Sequence, residues 1–99
     1  MNILTEADQA TSGDRNRDYG HPLENYGRTA TYWNVYLSHH LGPLTAEDIC
    51  WLNILQKISR EQHKSKRDNW TDIAGFARTR EMIHDKQEED RALPQERAF

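Results

Sequence analysis

Two groups of side chains in this chain could do chemistry. The first is the run Asp14-Arg15-Asn16-Arg17-Asp18-Tyr19-Gly20-His21. Arg15 and Arg17 each carry a planar guanidinium fork that suits phosphate or carboxylate oxygens. Tyr19 offers a ring face for stacking, and Gly20 lets the backbone turn or approach a ligand closely. His21 stands just ahead of Pro22, at the positive end of a predicted helix, where backbone N–H groups suit an anion. Together Arg15, Arg17, Tyr19, Gly20 and His21 could hold a phosphorylated, ring-bearing ligand, that is, a nucleotide. The same residues also fit a surface loop in which Asp14 or Asp18 pins an arginine while Tyr19 plugs the core.

The second group is acidic. On a helical wheel Asp48 falls between Leu52 and Leu55, and Asp72 falls beside Phe76 and Ile83. A carboxylate facing an apolar interface is expensive unless it is paired or bound to a metal. Each lies near the start of its helix, so the two could converge on Mg²⁺, which takes a few carboxylates plus phosphate oxygens. Each could equally cap its own helix, Asp48 back to Thr45 and Asp72 back to Asn69. The basic stretch Lys57, Arg60, Lys64, Lys66 and Arg67 could contact phosphate or form a solvated face. Arg80, on the apolar face of its helix, either snorkels to solvent or reaches an acid or a phosphate. Glu24 reads as a helix-start acid paired with Arg28 four residues on. His39 and His40 point about 100° apart on a helix and make no chelating pair. There is no phosphate-binding G-x-x-x-x-G-K-[ST] loop and no H-E-x-x-H motif, and neither Cys50 nor any serine has a base at a recognisable spacing.

Four helical stretches must position these residues. Residues 2–11 place Ile3, Leu4, Ala7 and Ala10 at 3–4 spacing, a helix so short that it must dock on something. The breaker cluster Thr11-Ser12-Gly13-Asp14 ends it, and residues 14–21 read as a loop. Pro22 opens the second helix, whose seam is Leu23, Tyr26, Ala30, Trp33 and Leu37, continued by His40, with Gly42-Pro43 as the stop. Thr45 and Asp48 form a capping-box variant before the apolar face Trp51, Leu52, Ile54, Leu55 and Ile58. Residues 59–67 read as a polar connection. Asp68 or Asn69 caps the last helix, which carries Ile73, Phe76, Ala77 and Ile83 on one face and fades by about His84. Residues 85–99 form a charged, partly disordered tail on a single domain of residues 1–84. The expected fold is all-α and four-helix bundle-like, with a short N-terminal helix and a frayed C-terminal tail.

Composition narrows the classes. The 99 residues are 35% hydrophobic and 29% charged, with a net charge of −3 and a mean hydropathy of −1.03. No apolar run approaches the length of a membrane helix, and no secretory leader pattern is present, which fits a cytoplasmic protein. One cysteine excludes an intrachain disulfide scaffold. A net-acidic chain with so short a basic patch argues against nucleic acid as a partner. Four short helices make a thin core, which argues for a homo-oligomer.

The run Ser12-Gly13-Asp14-Arg15-Asn16-Arg17-Asp18-Tyr19-Gly20-His21-Pro22-Leu23-Glu24-Asn25 resembles the opening of a family of small phage and prophage proteins of unknown function. Trp33, then Thr45, Glu47, Asp48, Lys57 and Arg60, then Asp68, Asp72 and Ile73-Ala74-Gly75-Phe76-Ala77 continue that resemblance over about residues 5–80. More distantly the chain is similar to phage nucleotide-modification-associated domains and to the all-α, MazG-like NTP pyrophosphohydrolases. That similarity implies a nucleotide pocket between helices, with Asp48 and Asp72 nearest the Mg²⁺ positions and Asp68 four residues before Asp72; from the basic stretch, Lys57 and Arg60 are the candidate ligand contacts. The acid pattern departs from those enzymes: Ile49, Cys50 and Trp51 follow Glu47-Asp48, and Asn69 stands three before Asp72. Half an acid set favours holding a nucleotide over cleaving it. The leading expectation is therefore a phage-encoded, nucleotide-binding protein without strong catalysis, acting in the host cytoplasm to sequester or sense a nucleotide, such as a host-defence signal. The alternatives are a Mg²⁺-dependent pyrophosphohydrolase using Asp48, Asp68 and Asp72, and a protein–protein inhibitor of a host factor using Tyr32, Tyr36 and Trp70.

Overall fold

A computed structural model describes residues 2–12 and 14–93, with the side chains of Asp14 and Asn16 left aside. Among the described residues the fold is all-α, with five helices and no strand. They are α1 (Ile3–Ala10), α2 (Asp14–Tyr19), α3 (Pro22–Ser38), α4 (Ala46–His63) and α5 (Arg67–Arg91).

The central unit is an antiparallel pair, α4 and α5. Two cross-links set its register: Lys57 Nζ lies 2.9 Å from Asp72 Oδ2, and Arg80 Nε lies 2.6 Å from Glu47 Oε1. As the α4 number falls by ten, the α5 number rises by eight, as two antiparallel helices require. α3 packs on another flank of α4, while α3 and α5 hardly touch each other. The three long helices therefore form an open, bundle-like arrangement with α4 in the middle. Cys50 and Leu52, both on α4, are the buried apolar residues of the described chain.

The local signals at α4 work as expected. Thr45 Oγ1 accepts from Asp48 N, and the Asp48 carboxylate accepts from Thr45 N at 2.7 Å, a full capping box. The end of α4 differs from the expected polar connection at 59–67. The helix runs on to His63, and Ser59 within it is fully buried. Polarity there marks an interface of hydrogen bonds, not a loop. The start of α5 differs too. Lys66 is the N-cap, without a side-chain cap bond, and Asn69 is buried rather than capping. The helix then continues past His84 to Arg91, with Lys86–Asp90 and Arg91–Glu88 pairs one turn apart on its exposed end. Of the expected tail, residues 94–99 lie outside the described residues, as does Gly13 of the breaker cluster.

Three further expectations are corrected. Residues 14–19 are helical, because Asp18 and Tyr19 gain partners from α4 and the turn after it; periodicity cannot detect a helix held by ion pairs. α1 is capped by Asn2, whose Oδ1 accepts from Thr5 N at 2.8 Å, yet none of its residues is buried, and Ile3 and Leu4 are each 80% exposed. The α3 seam is also rotated. Leu23 and Tyr26 face solvent, and the side packed on α4 is Asn25, Thr29, Trp33 and Tyr36. Trp33 Nε1 donates to Leu52 O at 2.8 Å, and Thr29 Oγ1 donates to Asn25 O at 3.0 Å. On that face Thr29, Trp33 and Tyr36 find hydrogen-bond partners, which removes the penalty of burying their polar atoms.

Candidate functional site

The corner where α2 meets α3 and the end of α4 collects the loop residues singled out in the sequence. Gly20 ends α2 with φ +82°, and a Cβ there would sit 3.2 Å from the His63 ring. A side chain at this point would be strained by the positive φ and crowded against the His63 ring. His63 Nε2 is 3.1 Å from the Arg17 carbonyl, so the end of α4 seals the turn. His21 is the N-cap of α3: its Nδ1 accepts from Leu23 N at 3.1 Å, ahead of Pro22 in the first turn.

Tyr19 is the hub of this corner. The Arg60 guanidinium lies 4.7 Å from its ring centroid, that of Arg15 5.2 Å, and the Lys66 ammonium 5.4 Å. The ring thus gathers three cations instead of offering a bare stacking face. Asp18 offsets part of that charge through bonds to Lys66 at 2.9 Å and Lys64 at 3.0 Å. These two bonds, Lys66 first, hold the Asp18 carboxyl down at about 2. Glu61 fixes the turn that carries Lys66. It accepts from Asn69 Nδ2, Ser65 Oγ, Lys66 N and Trp70 Nε1 at 2.6 to 3.0 Å. Those donors, the Asn69 amide foremost, bring Glu61 to about 2.

Beside Tyr19 lies a cleft of about 110 Å³, lined by Thr11, Arg15, Tyr19, Gly20, Pro22, Asn25 and Tyr26. Asn25 is 4% exposed, and its Oδ1 has no hydrogen-bond partner. Arg60 Nε, also buried, has none either. Around them the backbone is tied down: Asn25 O also accepts from Ser59 Oγ, and Arg28 Nη1 donates to Ser59 O at 2.8 Å. Arg28 therefore reaches across to α4 instead of pairing with Glu24. In a corner where nearly every polar atom is matched, one free acceptor and one free donor stand out.

The structure thus brings Arg15, Tyr19, Gly20, His21 and Arg60 into one corner. Arg17 lends its carbonyl there, while its side chain is exposed. Lys57 stands apart, two turns up α4 from the end of that helix and paired with Asp72. Asn25, Glu61 and His63 are members that residue spacing did not single out, while Lys66 was among the cations that could contact phosphate. Asn25 closes the motif quoted above and Lys66 belongs to the basic stretch, so both were within view; nothing local marks Glu61 or His63.

The acids expected to bind Mg²⁺ do not converge within one chain. Asp48, 6% exposed, accepts from Tyr36 Oη at 2.5 Å and from Thr45, with His40 Nδ1 3.5 Å away. The Tyr36 bond, then the Thr45 backbone bond, lowers the Asp48 carboxyl, and the same pairing pushes the Tyr36 hydroxyl up to about 12. Asp72 lies opposite Lys57, nine residues or about 13 Å along α4 from Asp48. Asp68 is exposed in the first turn of α5. No cluster of three metal-ligating side chains exists among the described residues. This donor set does not fit a shared ion in one chain, because Asp48 is held by Tyr36 and Thr45 while Asp72, far along the helix pair from it, is paired with Lys57.

A family model described as a domain of unknown function, DUF6378, matches residues 2–84. The chain belongs to the DUF6378 family. It is 38% identical over 85 residues to the Gene 55 protein of Mycobacterium phage D29, covering 85% of this chain and 54% of that protein. It is 40% identical over 78 residues to the Gene 55 protein of Mycobacterium phage L5, covering 78% of this chain and 49% of that protein. The chain thus spans about half the length of both relatives. No solved structure matches it. A phage protein family of unknown function is the kinship expected from the sequence, and the DUF6378 match places the Tyr19 corner inside the family's own region. No helix among the described residues is long and apolar enough to cross a membrane.

Proposed function

We propose that this phage family member binds a nucleotide at the Tyr19 corner and holds it without strong catalysis. The observation that carries the reading is the unpartnered, buried Asn25 Oδ1 in a cleft bordered by clustered cations. A nucleotide supplies what each free group lacks. A base amine or a ribose hydroxyl can donate to Asn25 Oδ1, and phosphate oxygens can accept from Arg15 on the cleft wall and from the Arg60 guanidinium that lies over Tyr19. The cleft is smaller than the ~300–1,000 Å³ of a typical ligand pocket, so it suits one end of the ligand, with the rest lying over the cations. Dispersal of Asp48, Asp68 and Asp72 supports holding over cleaving, since phosphoanhydride attack needs its charge stabilisers fixed together. Sequestering or sensing a nucleotide in the host cytoplasm, a host-defence signal included, is the use such a protein would serve.

Calorimetry against nucleoside mono-, di- and triphosphates and cyclic nucleotides tests the reading. Saturable binding of at least one is expected. Arg60→Ala should weaken it by about 10- to 100-fold, the size of a lost charge-assisted bond. Arg60→Lys, which keeps the charge but not the Nε donor, should recover only part. Absence of binding across the whole panel at high protein concentration overturns the proposal.

A further inference from the structure

Among the described residues, the half-buried lysines and arginines are matched with an oxygen, except at one place. Arg28 donates to Ser59 O, Lys57 meets Asp72, Lys66 meets Asp18 and Arg80 meets Glu47. Arg15 and Arg60 are half-buried too. Neither has a hydrogen bond or an ion pair among the described residues. Both instead lie over the Tyr19 ring, 5.2 and 4.7 Å from its centroid. Lys64 and Lys66 stand at the same corner, but Asp18 holds both, at 3.0 and 2.9 Å. The lysines are thus neutralised in part by the protein, and the two arginines are left open. Taking a cation partly out of water without an anion is costly, and a ring face offsets only part of that cost. Two like charges over one ring also repel each other. One anion shared by both guanidinium groups would relieve all of this.

We infer that this anion is a terminal phosphomonoester seated on Arg15 and Arg60, so that the corner takes a nucleoside monophosphate. The inference rests on the nucleotide reading above and narrows it to one phosphate state. Charge sets the class. A phosphomonoester carries about −1.5 to −2 charges at neutral pH, which balances two open guanidinium groups. A cyclic nucleotide is a diester with one negative charge and leaves one of the two arginines unmatched. A triphosphate brings further charged groups, for which only Lys64 and Lys66 remain, and Asp18 already occupies them. Oxygen count agrees with charge. A monoester offers three terminal oxygens to divide between two planar forks, and a diester offers two. Arg15 also forms part of the cleft wall, so the seat adjoins the cavity that ends on the buried, unpartnered Asn25 Oδ1. The nucleoside fills that side and donates to Asn25. Asp18 acts as the positioning residue for this selectivity: by holding two lysines it keeps the open charge at two.

Calorimetry on the full chain tests this with each nucleoside in three states: 5′-monophosphate, 3′,5′-cyclic monophosphate and triphosphate, at one ionic strength. The monophosphate should bind at least 10-fold tighter than the cyclic form, and the triphosphate no tighter than the monophosphate. Arg15→Gln removes one charge while keeping a polar side chain. It should weaken the monophosphate by about 10-fold and the cyclic form by less than threefold, because Arg60 alone matches a single charge. Asp18→Asn releases Lys64 and Lys66 and should move the preference toward the triphosphate, a gain in affinity that a damaged fold would not produce. Failure of every nucleotide to bind removes the nucleotide reading and this inference with it. Binding of some nucleotide, with the cyclic form or the triphosphate preferred in the unaltered chain, overturns this inference alone. So does an equal loss for both monophosphate forms in Arg15→Gln.

Discussion

The two ends of the α4/α5 pair are built on opposite principles. The Tyr19 corner is polar and nearly saturated: Asp18, Glu61, Ser59 and His63 each answer a specific donor or acceptor on another element. The groove around Trp51, Ile54 and Ala77 is apolar, and its one hydrogen-bonding feature is the Arg80 rim. A satisfied polar corner specifies geometry, because each bond is directional and an unmatched buried group is costly. An apolar groove specifies only that something must cover it. The contrast separates a corner fixed by directional bonds from a groove shaped mainly by apolar side chains.

The sharpest way to break that contrast is Gly20→Val. It forces a β-branched residue to φ +82° and a Cβ to 3.2 Å from the His63 ring. Thermal unfolding should show a loss of about 2–4 kcal/mol, from left-handed strain plus overpacking. A change below half a unit would mean that the corner gives way easily and is no rigid seat. Next in size is Asn25→Leu, which replaces the free acceptor with an isosteric apolar group. Ligand affinity should fall by about 10-fold or more, while the melting temperature holds or rises, because a buried unpaired oxygen is removed. A lower melting temperature with unchanged affinity would make Asn25 a structural residue only.

Acid titration sharpens the comparison further. Asp18 and Glu61 are held at about 2 in the folded protein, against ordinary values of 3.8 and 4.5. Both are depressed, so the stability they confer is full above pH ~4.5 and drains away as pH falls toward 2. The melting temperature should drop over that window, and Glu61→Gln should flatten the drop. Tyr36 works in the other direction: raised to about 12, it confers stability that is lost as pH climbs from 10 to 12, and Tyr36→Phe should remove that alkaline slope. If neither substitution changes its slope, the hydrogen bonds at these two places are not those of the folded state in solution. The smallest effect is expected outside both regions. Gly75 lies within α5, and a Cβ there meets nothing within 4 Å. Gly75→Ala should stabilise by about 0.5–1 kcal/mol in the same unfolding assay, through backbone entropy alone.

Much of this was visible in the residues. The all-α class, Pro22 at the start of α3 and the Thr45–Asp48 capping box are local effects, decided within one helical turn and readable from side-chain type. So was the concentration of Arg15, Tyr19 and Gly20 in one short run. The α3 seam was not. Leu23, Tyr26 and Ala30 have the right spacing to be buried, yet Asn25 and Thr29 hold that place. Periodicity weighs hydrophobicity alone, and here hydrogen bonds to Ser59 and within α3 decided which side faces α4. Asp48 and Asp72 show the same limit in another form. Each sits near the start of its helix, which suggested convergence, but antiparallel packing of α4 and α5 puts helix starts at opposite ends.

What the sequence determined by itself was therefore the set of elements, their caps and the chemical character of each stretch, since these depend on neighbours three or four residues away. What only the tertiary structure decided was partnership: that Lys66 and Arg60 meet over Tyr19, that Glu61 organises the start of α5, and that Trp51 is left half uncovered. Those outcomes depend on the crossing and register of helices far apart in the chain. Register is set by the summed packing and hydrogen bonding of whole faces, a quantity that no single residue carries.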